Sequence, residues 1–527
     1  MQKEVNFSCS ILVPGVICYG RISGIGVIRL ELQFHETAIS YLDRVIWESQ
    51  SQEQTQELRL GDGMGDIGKI LNAWGQVILR SKQWRSDCVC ITGGISVWVL
   101  YLPEGESTPQ SVDCWIPFQF KWNLPQVDRE GVVHVDCRLH YLDARMISAR
   151  KMMIRAGVGA MLEAMVEQEG VTFVPEDIPE DVHLLRHTYP MELTVEAGEK
   201  AFSLEEELNL PPGTPVPHRI LYYYASPRAT ETQIEGDKLV FRGSVPLRIG
   251  FIDETGKIHA ITQDMPFSQL ASLKKEYTHT ANAKVTIAVN NLEVDYIDGI
   301  VDVRCGIVGQ YTVYDIERLE VVEDAYSTER PLQLQRKTTS FPVITEDQRW
   351  RDQIDMQIEA PGDAVIDDWF LAENALTYRE DKRLRLELTG QCGALYYDYE
   401  GTPGSVSSRW ELQTELPCSE GEKMHTQVFV DSPGKSSTAS GEVHLKSEAH
   451  ICLRVLTRES IDMICGLEFG EKEKSDEEHP TLILRRAAGG TLWDLAKESR
   501  SSVELIQEAN KLEGEPQAGQ WLLIPVQ

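Results

Sequence analysis

Three stretches of this 527-residue chain repeat one pattern about 150 residues apart, and a shorter module follows the third. Residues 90–101, 239–250 and 386–397 each alternate apolar with polar side chains around a glycine, at positions 94, 243 and 390. Each runs into a turn, Pro103-Glu104-Gly105, Asp253-Glu254-Thr255-Gly256 or Tyr399-Glu400-Gly401, and then into a second alternating run. A fixed period constrains the fold more than any single motif, because every copy must solve the same packing problem. Alternation of period two sets one strand face on a core and the other in water, so antiparallel β structure should dominate residues 40–466.

The shared pattern extends upstream as a strand, a Gly/Pro/Asp turn and a short apolar segment, at 56–71, 206–221 and 354–371. Downstream, 132–142, 283–289 with 299–313, and 441–455 alternate again. Met161, Leu162, Met165 and Val166 have helical spacing, but their counterparts in the other copies alternate, so a strand is expected at 150–160. The expected organisation is a β extension at 1–39, repeats at 40–170, 185–322 and a divergent 330–466, a charged linker at 467–480, and a module at 481–527. The fold class is therefore mainly β: three tandem β-rich, sandwich-like repeats followed by a small βααβ module. Glu471 to Pro480 is charged at most positions and has no apolar side chain to bury, which predicts a tether.

Net charge is −31, spread along the chain, which argues against a nucleic-acid partner or an anionic membrane surface. Eleven cysteines without a recurring spacing do not suggest a disulfide framework. The apolar run at 9–19 is interrupted by Pro14 and Gly15, and no run approaches the roughly 20 apolar residues of a membrane span. The expectation is a cytoplasmic protein with no membrane insertion.

Chemistry-bearing patterns are present only in fragments. Pro433-Gly434-Lys435-Ser436 ends like a phosphate-binding loop, but Phe429 stands where that loop needs its first glycine. His183 and His187 lack the glutamate of a zinc protease. Cys88, Cys90, Cys114, His134, Cys137 and His140 would have to converge from opposite strand faces to hold a metal. Asp367 and Asp368 are adjacent, so on a strand they point apart. No Gly-x-Ser-x-Gly elbow occurs. The chain is expected to be no enzyme, with no catalytic residue, metal or cofactor.

In the last module, Leu482 to Leu484 form a strand and Gly489-Gly490 a turn. Thr491 and Asp494 make a reciprocal cap for a helix whose inner face is Leu492, Leu495 and Ala496. Ser501 and Glu504 repeat that cap for a second helix burying Val503, Ile506 and Ala509, Asn510 suits its left-handed exit, and a strand at Trp521 to Val526 closes the module. Gly489-Gly490-Thr491-Leu492-Trp493-Asp494-Leu495-Ala496, Asn510-Lys511-Leu512 and Gly519-Gln520-Trp521-Leu522-Leu523-Ile524-Pro525 resemble the LysM domain. That resemblance implies a groove between two loops, with Gly489, Gly490, Thr491, Leu492 and Trp493 facing Asn510, Lys511, Leu512 and Glu513, and commonly a ligand made of N-acetylglucosamine. Gly490 stands where that family usually has Asp, and Ala518 where it has Pro.

The repeats are similar to something as well. Asp66-Ile67-Gly68-Lys69-Ile70-Leu71, the strand ending in Val99-Leu100-Tyr101, and Ile116-Pro117-Phe118 resemble the SPOCS repeat of spore-coat and cortex morphogenetic proteins. Met265-Pro266-Phe267 echoes the last element, whereas the third copy has Glu411-Leu412-Gln413-Thr414. SPOCS repeats followed by LysM imply a structural adaptor of the spore envelope, in the mother-cell cytoplasm at the forespore surface. The LysM module is then implied to dock on a coat morphogenetic protein, the ATPase that polymerises there. The alternative is a peptidoglycan binder of the cortex or cell wall.

Overall fold

Runs of Val, Ile, Leu, Phe and Tyr with charged residues at alternate positions favour strands, and clusters of Gly, Pro and Asp separate them. The computed structural model describes residues 30–125, 129–297, 300–380, 383–417, 421, 423–439, 441–472, 481–487 and 489–526, and over these the chain is mainly β. Most of the extension expected at 1–39, and linker residues 473–480, lie outside the described residues.

A short strand, β1 (Leu30–Gln33), precedes the first unit. That unit comprises β2 (His35–Arg59), β3 (Ile67–Trp84), β4 (Cys88–Pro103), β5 (Gln110–Asn123), β6 (Val132–Ser148) and β7 (Lys151–Val174). β3, β4 and β5 form a meander, while β7 lies between β2 and β6 in a second sheet. The strand expected at 150–160 is the first half of β7. The second unit has β8 (Val182–Leu208), β9 (Pro217–Ala225), β10 (Arg228–Asp253), β11 (Ile258–Tyr277), β12 (Asn282–Ile297) and β13 (Ile300–Ser327), paired in the same way. The third has β14 (Leu332–Glu359), β15 (Gly362–Glu380), β16 (Arg383–Asp398), β17 (Pro403–Pro417), β18 (Lys423–Val430), β19 (Lys435–Ala439) and β20 (Glu442–Phe469). Here two short strands, β18 and β19, replace the single edge strand of the other units, with a cis Ser432–Pro433 bond between them.

Within each unit the two sheets enclose a core, as in a sandwich. Ile91, Phe120 and Trp122 pack with Ile154, Val158 and Leu162 in the first. Phe241 and Leu247 pack with Val303 and Ile307 in the second, and Leu386 and Trp410 with Leu445 and Leu453 in the third.

The meander register places the repeated glycine one residue earlier in the first unit than the sequence comparison does. Gly93, Gly243 and Gly390 pair with Phe118, Phe267 and Trp410. A Cβ at these three positions would stand 2.4, 2.0 and 2.1 Å from the carbonyl oxygens of Ile78, Arg228 and Leu371, so only glycine fits under the ring. Trp410 thus occupies the place of the phenylalanine in Ile116-Pro117-Phe118, and the third unit keeps a contact that its sequence hides.

The packing between units was open in the sequence; in the structure the units share a core. One unpaired residue interrupts the long outer strand of each second sheet, at Val45, Val195 and Thr345. Such a bulge bends a strand and increases its twist. Beyond it, the pairs β2/β7, β8/β13 and β14/β20 bring together Tyr41, Phe173, Met191, Leu193, Val321, Phe341, Ile461 and Met463 in one further apolar core. β1 pairs with the far end of β20, so the N-terminal strand closes against the third unit.

The C-terminal head consists of β21 (Leu482–Arg486), α1 (Leu492–Ser499), α2 (Val503–Asn510) and β22 (Trp521–Pro525), the two strands antiparallel. Leu492, Ala496, Ile506, Leu522 and Ile524 form its core. Thr491 and Asp494 make the expected capping box. The second cap is Ser502 rather than Ser501, its hydroxyl accepting from the Leu505 amide at 3.2 Å. The left-handed exit falls on Lys511, with φ of 53°, and Asn510 remains helical. Among the described residues no helix is long and apolar enough to cross a membrane.

Candidate functional site

The start of α1 is bonded to the chain just beyond the second loop that the sequence named, Asn510 to Glu513. The Leu492 amide donates to Glu515 Oε2 at 2.7 Å, joining the start of α1 to the loop that follows Glu513. Positive φ values of 88° and 153° at Gly489 and Gly490 make the turn into α1. Several of the expected contact residues are occupied structurally. Leu492 is 2% exposed in the head core, and Leu512 packs against that core. Thr491 is engaged in the cap. The Asn510 amide group donates to Leu523 O at 2.6 Å and accepts from Leu523 N at 2.7 Å, tying α2 to β22. That engagement explains why Asn510 stays in the helix. Lys511 and Glu513 are exposed.

Trp493 turns towards the body. Its indole N–H donates to Asp324 Oδ2 at 2.8 Å, and Lys497 Nζ donates to the same carboxylate at 2.6 Å. Tyr326 packs its ring edge against Trp493, with centroids 4.8 Å apart, and donates its hydroxyl to Ser501 O at 2.7 Å. Burial alone would raise the Asp324 carboxyl, but the bonds from Lys497 and Trp493 hold it below the usual range. Nothing in the repeat pattern singled out Asp324 or Tyr326, because their partners lie in another element far along the chain.

The head also presents an apolar sheet face. Leu484 stands opposite Leu523 and Arg486 opposite Trp521, so Leu482, Leu484, Trp521 and Leu523 share one side. Trp521 is 62% exposed and Leu484 60%. β22 closes the module as expected and also carries this outer apolar face, for which the alternation in 521–524 is the signal.

Within the body, β3, β6, β9, β12, β15 and β18, two strands from each unit, line a central cavity of about 870 Å³. Residues 66–147 and 218–297 match the family model described as SipL, SPOCS domain. Two segments of the chain are thus similar to SPOCS domains. No curated protein and no solved structure matches it. The SPOCS match suggests a sporulation-related protein. Its two segments run from β3 through β6 and from β9 through β12, so a SPOCS segment comprises the meander and the strand that returns to the second sheet. β2, β7, β8 and β13, which build the shared core, lie outside it.

Beneath the SPOCS cavity the three units place different side chains at equivalent positions. His134 faces Glu163, Lys284 faces Thr312, and His425 faces Arg454 across the ladders. Arg44 donates to Glu163 Oε2 at 3.4 Å and to Thr194 Oγ1 and Tyr314 Oη at 3.2 Å each, linking the first unit to the second. Burial would raise Glu163, but the Arg44, Lys284 and Arg454 charges hold it down at about 2. Burial pushes His134 and His425 each down to about 4, so both are neutral near pH 7.

Several of the remaining sequence candidates have structural partners, although among the described residues His183 Nε2 is buried without one. Asp367 accepts from Arg248 Nη2 and from Tyr222 Oη, each at 2.5 Å, and so bridges the second and third units. Burial and then the Asp367 charge push Asp368 up to about 6. Asp368 accepts from the Gly434 amide at 3.1 Å, so a carboxylate holds the turn at Pro433 to Ser436. Cys88 and Cys90 place their sulfurs 3.7 Å apart on one face of β4. Among the described residues only Asp431, Glu448 and His450 group three ligand atoms within 4.8 Å, and Arg228 and Arg351 pair with the two carboxylates.

Proposed function

We propose that the protein is a non-enzymatic structural adaptor of spore-envelope assembly, whose LysM-like head docks on a morphogenetic protein at the forespore surface. The supporting observation is the apolar face of the head, Leu482, Leu484, Trp521 and Leu523, beside exposed Lys511 and Glu513. Contiguous exposed apolar side chains rimmed by polar ones are a usual mark of a protein-binding surface. Trp493, the aromatic that a glycan-binding loop would offer for stacking, is turned to Asp324 and Tyr326, which favours protein docking over the peptidoglycan reading. The repeats act as the body that presents the head and supplies further surface, and a partner binding both gains from their tethering.

The test is capture of the purified forespore-surface ATPase by the full chain, run beside capture on muropeptides. Trp521→Lys should abolish capture of the ATPase, with the circular dichroism of the chain unchanged. Retention on muropeptides with no ATPase capture would overturn the adaptor reading in favour of a cortex or wall binder.

A further inference from the structure

All three units wall a central, solvent-open space of about 870 Å³. Its size falls in the range of small-molecule sites. Much of its wall is apolar, including Leu139, Ile287 and Phe370, while exposed Ser226, Arg228 and Thr230 stand at its mouth.

The charges around this space are distributed unevenly. The chain as a whole carries −31, yet the cavity is lined by Arg138, Arg228, Lys284 and Arg349 against Asp136, Glu231 and Asp431. Each of those acids is bonded to an arginine: Asp136 to Arg138 at 2.5 Å, Glu231 to Arg242 at 3.2 Å and Asp431 to Arg228 at 3.2 Å. Arg349 has Asp347 at 3.4 Å. Lys284 is the exception. Among the described residues it makes neither an ion pair nor a hydrogen bond, and Glu163 attracts it only from beyond ion-pair distance.

Lys284 and Thr286 line both the cavity and a small void beneath it, which Arg454 also lines together with the ion-paired carboxylates Glu163 and Asp136. Arg454 is 3% exposed; its Nε pairs with Asp347 at 3.2 Å and its Nη1 with Glu163 at 3.7 Å, while among the described residues its Nη2 has no partner. The equivalents of Lys284 in the other two units, His134 and His425, are neutral and add no charge. A buried cation without a partner is costly, and an anion placed against it removes that cost.

We propose that the central cavity binds a small organic anion with an apolar body, its carboxylate, sulfonate or phosphate group held by Lys284 and Arg454 at the base. Thr286 supplies a hydroxyl beside that group, and the apolar wall takes the body. Burial and then the Arg454 charge lower the pKa of Lys284 to about 8, and an anion beside it would offset both effects.

Fluorescence titration of the full chain with 8-anilinonaphthalene-1-sulfonate, beside its uncharged analogue N-phenyl-1-naphthylamine, tests the assignment. The sulfonate should saturate one site about tenfold more tightly than the amine, as a charge-assisted contact warrants. Lys284→Met should remove that preference and leave amine binding in place. Inorganic phosphate should weaken the sulfonate alone. The comparison of the two probes in the unaltered protein stands even if the variant fails to fold. Probe bound to the apolar face of the head would not distinguish sulfonate from amine or respond to Lys284. Equal affinity of the two probes, a preference that survives Lys284→Met, or no saturable binding would each overturn the proposal.

Discussion

Single residues decide where the repeat lies and how the body responds to acid. In the first unit Gly93 and Gly94 are adjacent, and the choice between them depends on which one sits beneath Phe118 and against the Ile78 carbonyl. A sequence shows that a glycine is needed in the strand, and a paired neighbour is required to show which. The same holds for His134 and His425, which read as ordinary strand residues until burial fixes them as neutral imidazoles. Their folded values, about 4, lie below the usual 6.5. Between those limits the unfolded chain takes up protons that the folded chain refuses, so stability is full above pH 6.5 and falls as the pH drops towards 4. At about 1.4 kcal/mol per unit, each histidine contributes up to about 3 kcal/mol to that loss. Asp368, raised to about 6, works in the opposite sense over the same range and offsets part of it. Urea denaturation should therefore give a lower midpoint near pH 5 than near pH 7, and His134→Gln with His425→Gln should flatten the difference. A midpoint independent of pH would contradict this.

At the scale of elements, strands were legible wherever polarity alternates, and the helices of the head wherever a cap precedes an apolar stripe. The bulges at Val45, Val195 and Thr345 were not, because one extra residue leaves the alternation on either side looking continuous. Contact between elements was equally hidden. The charged segment before the head suggested a free tether, whereas α1 is fastened to β13 through Trp493, Lys497 and Asp324. Asp324→Ala removes the acceptor for both and leaves a partly buried indole N–H without its partner, a cost of about 1–3 kcal/mol. Hydrogen exchange over residues 492–499 should then quicken about tenfold or more, with the meander strands unchanged. Unchanged exchange in α1 would mean that the head does not depend on this contact.

For the whole molecule, repetition was the feature the sequence conveyed most fully and assembly the one it conveyed least. Three copies of a six-strand pattern could have been strung as separate beads, since each has a sandwich core of its own. The shared core arises because the bulges turn the long strands inward, so that Tyr41, Met191 and Phe341, each an unremarkable apolar residue in its own strand, meet at the centre. The SPOCS segments and the corresponding strands of the third unit then form walls around the cavity, and the long strands outside the SPOCS segments supply the central core. A body joined in this way can hold one shape while presenting the head and several faces, as the proposed adaptor role requires.

Phe341 is fully buried in that shared core, its ring 5.7 Å from Tyr41 of the first unit and lying over Gly170. Phe341→Ala, which removes about 3–5 kcal/mol of packing, followed by hydrogen exchange over the full chain, is the most direct test of the account. One shared core predicts faster exchange in β2 and β7 of the first unit and in β8 and β13 of the second, as well as in β14 and β20. Acceleration confined to β14 and β20 would contradict it, because the three units would then be independent.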